Sequence, residues 1–110
     1  MNKTNAEFRI QLNAAHYIYQ AHFPNNPITP GVCLIQIVGE LFEIVKHKKF
    51  SIQTLKNVKF TAPINPLEHS KVTVLLDYTE KDNMWLVKAV IKEQEQVFAK
   101  MSLLLSAHAN

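Results

Sequence analysis

Gly31-Val32-Cys33-Leu34-Ile35-Gln36-Ile37-Val38-Gly39-Glu40-Leu41-Phe42-Glu43-Ile44-Val45-Lys46 decides how this chain of 110 residues folds. The spacing predicts a helix from Gly31 to Lys46 or His47. Placed about 100° apart, Gln36, Glu40, Glu43 and His47 share one narrow stripe, bordered by Val32 and Gly39. The rest of the cylinder carries Leu34, Ile35, Ile37, Val38, Leu41, Phe42, Ile44 and Val45, so apolar surface covers more than half of it. A helix of that girth is expected to be wrapped by other structure. Gly39 costs roughly 1 kcal/mol mid-helix relative to alanine. With only two glycines in the chain, that cost leads us to expect close approach by another backbone.

Immediately upstream lies His22-Phe23-Pro24-Asn25-Asn26-Pro27-Ile28-Thr29-Pro30. Each proline fixes its own φ and pushes the residue before it out of the α region. Three prolines in seven residues make a stiff, extended loop, expected from about Ala21 to Pro30. The loop holds His22 about 14 positions before Gln36, a polar side chain inside an apolar helix. A positioned histidine facing a polar group is the pattern of an active site, or of the remains of one. Downstream, Lys46-His47-Lys48-Lys49 ends the helix with positive charge, favourable at that end of the dipole.

Working outward, Phe8-Arg9-Ile10-Gln11-Leu12 alternates apolar and polar and reads as a half-buried strand, with a shorter strand-like piece at His16–Gln20. Beyond the helix, Leu55–Phe60 alternates imperfectly, and Pro63 and Pro66 punctuate a turn-rich connection. Lys71–Tyr78, Trp85–Lys92 and Gln96–Leu105 read as three further strands, separated by polar turns at Glu80–Asn83 and Glu93–Glu95. A few N-terminal elements, one buried helix and a meander of about four strands fit an α+β chain, with an antiparallel sheet curled around one central helix.

The totals agree. At this length we expect a single domain, residues 1–110, with room for a core but not for a long-ligand pocket without a second subunit. The net charge of +3 is too weak for a typical nucleic-acid binder and compatible with an acidic protein partner. One cysteine, Cys33, excludes an internal disulfide framework and suits a reducing compartment, where it reads as a core thiol. The polar start, Met1 to Glu7, suggests no signal peptide, and Gln36, Gly39 and Glu40 interrupt the longest apolar run, so a cytoplasmic protein without a membrane span is expected. Histidines 16, 47, 69 and 108 show no metal-ligand spacing, and no metal or cofactor is expected.

The segment His22-Phe23-Pro24-Asn25-Asn26-Pro27-Ile28-Thr29-Pro30-Gly31-Val32, followed by the apolar helix, resembles the motif of bacterial 3-hydroxyacyl-acyl-carrier-protein dehydratases of the hotdog fold. Val58-Lys59-Phe60-Thr61-Ala62-Pro63-Ile64 resembles the family's later basic-Phe-x-x-Pro strand. The resemblance covers nearly the whole chain. It implies a hotdog fold in which His22 takes a proton from C2 of a 3-hydroxyacyl thioester. The Gly31 N–H would hold the thioester carbonyl, and Phe23, Val32 and Phe60 would be substrate-binding. The usual glycine after His-Phe-Pro is Asn25 here, the best non-glycine residue for a left-handed backbone.

The family's acid, carried on the partner subunit's helix, falls at Gln36, and an amide cannot protonate a leaving hydroxide. The family's glutamine one turn later falls at Glu40. The two side chains look exchanged, about 40° apart around the helix and roughly 6 Å along it. The resemblance also implies a homodimer, or a higher oligomer of dimers, acting on chains borne by an acyl carrier protein, and the missing acid adds a heterodimer with a homologue as an alternative. The lysines at 46, 48, 49, 56 and 59 are candidates to receive that acidic carrier. Three readings follow: a dehydratase in which Glu40, or water ordered by Gln36, assists hydroxide loss; a non-catalytic or half-catalytic subunit paired with an acid-bearing homologue; and a hotdog acyl thioesterase using Glu40.

Overall fold

A computed structural model describes residues 4–13 and 28–108. Within these residues five strands and one helix follow in the order β1 (Asn5–Gln11), α1 (Gly31–Lys46), β2 (Phe50–Phe60), β3 (Lys71–Lys81), β4 (Met84–Glu93) and β5 (Gln96–Ala107). All strand pairs are antiparallel, and the sheet order is β1-β3-β4-β5-β2. Among the described strands, β1 and β2, which precede and follow α1, therefore lie at opposite edges of the sheet. The helix packs against the inner face between them, as its apolar girth predicts, and this is the hotdog fold.

Period-2 alternation makes the sheet two-faced. In β3, Val72, Val74, Leu76 and Tyr78 all point inward and are buried, as are Val87, Ala89 and Ile91 of β4 and Met101, Leu103 and Leu105 of β5. From the helix, Leu34, Val38, Leu41 and Phe42 meet them. Burying one such side chain contributes on the order of 1.5–3 kcal/mol. The β3–β4 hairpin closes through Asp82 and Asn83, both at positive φ (54° and 65°), between paired Lys81 and Met84. Two left-handed central residues match the right-handed twist of the flanking strands, and Asp and Asn tolerate that conformation.

The structure extends all four strands expected after the helix and corrects one packing expectation. β2 begins at Phe50, five residues before the alternating stretch, because register shifts between Ile52 and Thr54 and between Leu55 and Asn57 break its periodicity. Gly39 meets no other backbone among the described residues. A Cβ built there would lie 3.6 Å from Ile52 Cδ1, an ordinary side-chain contact. The wrapping of α1 is also one-sided. Val32 and Ile44, flanking the polar stripe, are 71% and 59% exposed.

Candidate functional site

Pro30 is the N-cap of α1, with extended backbone (φ −62°, ψ 144°) and no side-chain cap bond. Its carbonyl accepts from Cys33 N–H at 3.0 Å, so the helix starts on the proline-fixed segment. The first turn carries no acidic side chain. Leading N–H groups have no acceptor within their own helix, and the dipole is positive at this end. That end opens on a cavity of about 350 Å³ lined by Thr29, Pro30, Gly31, Leu34, Phe60 and Ile64, among others.

The two motifs expected to share a site do meet here. The Phe60 ring lies over Gly31 so closely that a Cβ at position 31 would come within 2.5 Å of Phe60 Cζ. Only glycine lets the ring sit there. Thr29 N–H donates to the Ile64 carbonyl at 2.9 Å, which fixes the segment before the helix against the connection after β2. His22 and Phe23 lie outside the described residues.

Farther along the helix, Gln36 Nε2 donates to Glu40 Oε2 at 3.1 Å, and both side chains are exposed. The exchanged pair is therefore one hydrogen-bonded unit, on the face that also exposes Val32 and Ile44. The amide orients the carboxylate and keeps its own oxygen as an acceptor. Beside them, Ile52, Leu55 and Phe60 of β2 are 38%, 51% and 52% exposed. These three pair with Leu105, Leu103 and Ala99, all inward-facing, so they belong to the helix side of the sheet. The result is an uncovered apolar flank with one amide–carboxylate pair set into it.

Glu43, on the same predicted stripe, has another task. Its Oε2 accepts the Phe50 N–H at 2.9 Å, and its Oε1 lies 3.9 Å from Lys49 Nζ. That bond joins the end of α1 to the start of β2. His47 takes the left-handed C-cap position at φ 56° and donates its N–H to the Glu43 carbonyl.

One further contact leaves no mark in the local sequence. His69 Nδ1 lies 2.7 Å from Glu93 Oε2, and the His69 ring meets Phe98 edge-on at 5.0 Å. The two residues are 24 positions apart in the chain, and only the sheet register brings them together. Among the described residues, no three or more His, Cys, Asp or Glu are grouped to hold a metal ion, and no helix is long and apolar enough to cross a membrane.

Comparisons with known proteins place this geometry. The 3-hydroxyacyl-[acyl-carrier-protein] dehydratase FabZ of Lactobacillus helveticus is 29% identical over 92 residues, 77% of this chain and 62% of that protein. The protein of the same name from Rickettsia canadensis is 23% identical over 90 residues, 74% of this chain and 62% of its own. The matched region thus spans about 62% of the length of these relatives. Among solved structures, the dehydratase heterocomplex ApeI:P from Xenorhabdus doucetiae superposes with a TM-score of 0.77 at 20% identity, covering 96% of this chain and 89% of that one. A probable thioesterase from Bartonella henselae superposes with a TM-score of 0.70 at 9% identity, over 98% and 93%. Both share the fold. The model of the ApeI-like family, described as ApeI dehydratase, matches residues 1–102, and the chain belongs to that family.

Proposed function

We propose that this protein is a dehydratase-like lyase acting on a 3-hydroxyacyl thioester carried by an acyl carrier protein. His22 removes the C2 proton. The electron pair forms the C2–C3 double bond as the C3–O bond breaks, and hydroxide leaves as water, giving a trans-2-enoyl thioester. The Gly31 N–H, at the uncapped end of α1, stabilises the negative charge that develops on the thioester carbonyl. Phe60, Val32 and Phe23 bound the acyl group. The observation that carries this reading is the meeting of the two motifs: the Phe60 ring rests on Gly31, beside a cavity at the helix N-terminus.

In this reading the leaving hydroxide meets the Gln36–Glu40 pair of a second subunit. Glu40 supplies the proton, directly or through a water held by the Gln36 oxygen. The uncovered flank supports a second subunit. Ile52, Leu55 and Phe60 stay exposed, and among the described residues β2 is bonded on one side only, to β5. An exposed strand edge beside apolar side chains invites another chain.

The test is turnover of 3-hydroxyacyl carrier-protein substrates. General acid catalysis is worth about 10²–10⁴-fold, so Glu40→Gln should lower the rate by that order if Glu40 is the acid. Gln36→Glu should raise it if the acid is missing. An unaltered rate in both variants and in His22→Ala would overturn the reading. Hydrolysis of the thioester without dehydration would indicate a thioesterase instead.

A second reading makes this chain one half of a mixed dimer, contributing His22 while an acid-bearing homologue supplies the proton. The amide at position 36 favours it, and the ApeI:P neighbour of the same fold is described as a heterocomplex. Co-expression with such a homologue separates the two: a stable homodimer that turns over substrate alone excludes the mixed dimer.

A further inference from the structure

The connection from β2 to β3 forms one wall of the cavity at Gly31, and it is fastened at three points. At its start, Thr61 and Ala62 N–H both donate to the Phe98 carbonyl, at 2.8 and 3.3 Å, and Thr61 Oγ1 donates to the Val97 carbonyl at 2.7 Å. In its middle, Ile64 is buried, and its carbonyl accepts from Thr29. Near its end, Asn65 builds a turn: its side chain accepts from Leu67 N–H at 2.9 Å, and its carbonyl accepts from His69 N–H at 2.8 Å.

The turn delivers the His69 ring to two partners on different strands, Glu93 at the end of β4 and Phe98 in β5. Phe98 is the residue whose carbonyl holds Thr61 and Ala62. The side chains of His69 and Glu93 are 34% and 29% exposed, so the contact is partly shielded from solvent. A charge-assisted or neutral hydrogen bond at that distance fixes the ring's rotation.

We propose that His69, held by Glu93, is a positioning residue for the acyl-thioester cavity. It keeps the Thr61–Ile64 wall against Thr29 and Gly31, and it touches no reacting atom. The ligand class rests on the function proposed above; the positioning role itself does not. Tension runs from Glu93 through the His69 ring to Phe98, from the Phe98 carbonyl to Thr61 and Ala62, and from the Ile64 carbonyl to Thr29, two residues before the helix.

The test compares His69→Leu, which keeps apolar bulk against Phe98 but removes the donor, with His69→Asn, whose side-chain nitrogen can replace Nδ1. Native-state amide exchange of the full chain is read first, because it needs no substrate. His69→Leu should speed exchange at Thr29, Thr61 and Ala62 by about tenfold or more, while amides beyond the far end of the helix, such as Phe50 at the start of β2, keep their protection. His69→Asn should restore the native rates at all three. Unchanged rates in His69→Leu, or an equal rise throughout the chain, would overturn the proposal.

The second reading is binding of butyryl-N-acetylcysteamine, a thioester with no hydroxyl to lose, followed by chemical-shift titration. Weakening by about fivefold in His69→Leu, with recovery in His69→Asn, ties the wall to the ligand. If the wild-type protein does not bind this probe, the assigned ligand class fails, and the exchange result alone decides the positioning role.

Discussion

At its last turn α1 is held on its inner face and capped at its end. Phe42 meets Phe50, Tyr78 and Trp85 with ring centroids 4.8, 5.4 and 5.6 Å away. Lys46 places its ammonium 3.9 Å over the Trp85 ring, Glu43 binds the first N–H of β2, and His47 caps the helix in the left-handed conformation. At its first turn the same helix has a proline N-cap without a side-chain bond, no acidic residue, a bare glycine under a half-exposed ring, and a cavity. One end holds the helix in place, and the other opens on a cavity. Under the proposed function, stability and chemistry fall at opposite ends of one element, and substitutions at the two ends should separate them.

The largest loss of stability is expected at the closed end. Phe42 is fully buried in its aromatic cluster, and Phe42→Ala should destabilise the protein by about 3–5 kcal/mol in equilibrium urea unfolding. A loss under about 1 kcal/mol would mean that the cluster does not anchor the helix. Glu43→Ala comes next. It strands the Phe50 N–H, and a partly buried donor without a partner costs about 1–3 kcal/mol. Glu43→Gln keeps an acceptor in reach and should recover most of that loss. If the two variants are equally unstable, the charge and its contact with Lys49, not the Phe50 bond, is what matters.

These two residues also show what could be read before folding. The helix limits were legible because their causes are local: Pro30 and Gly31 punctuate the start, and the Lys-His-Lys-Lys run marks the end. The β3–β4–β5 meander was legible from alternation and polar turns. The full length of β2 was not, because its register shifts disturb the period. In the site, the meeting of Gly31 with Phe60 and the pairing of Gln36 with Glu40 follow from motif and helical spacing. Glu43 and His69 did not announce themselves. The partner of Glu43 is a backbone N–H in the next element, and that of His69 lies across the sheet, so neither leaves a mark in local sequence. The places expected for His22 and Phe23 lie outside the described residues.

A smaller effect, of opposite sign, is expected midway along the helix. A methyl at position 39 would make only ordinary contact with Ile52. Glycine costs a helix interior about 0.5–1 kcal/mol relative to alanine, so Gly39→Ala should stabilise the isolated subunit by that amount. If it instead destabilises, some other part of the chain or a second subunit approaches Gly39, which would move the middle of the helix from the solvent side of the comparison to the packed side.

Gly31→Ala should change stability least and matter most for what the open end does. No glycine here has a positive φ, so the backbone of residue 31 accepts a side chain. The obstacle is the far end of the Phe60 ring, which is half-exposed and can swing outward. Unfolding free energy should therefore stay within about 1 kcal/mol of the parent. The displaced ring and the added methyl would crowd the space beside the Gly31 N–H, and thioester turnover should fall by about tenfold or more. Phe60→Ala combined with Gly31→Ala removes the clash but not the methyl, so it distinguishes a displaced ring from a blocked donor. If Gly31→Ala were as destabilising as Phe42→Ala, or left turnover unchanged, the contrast between the two ends would fail. The open turn would then be only a loosely packed helix start.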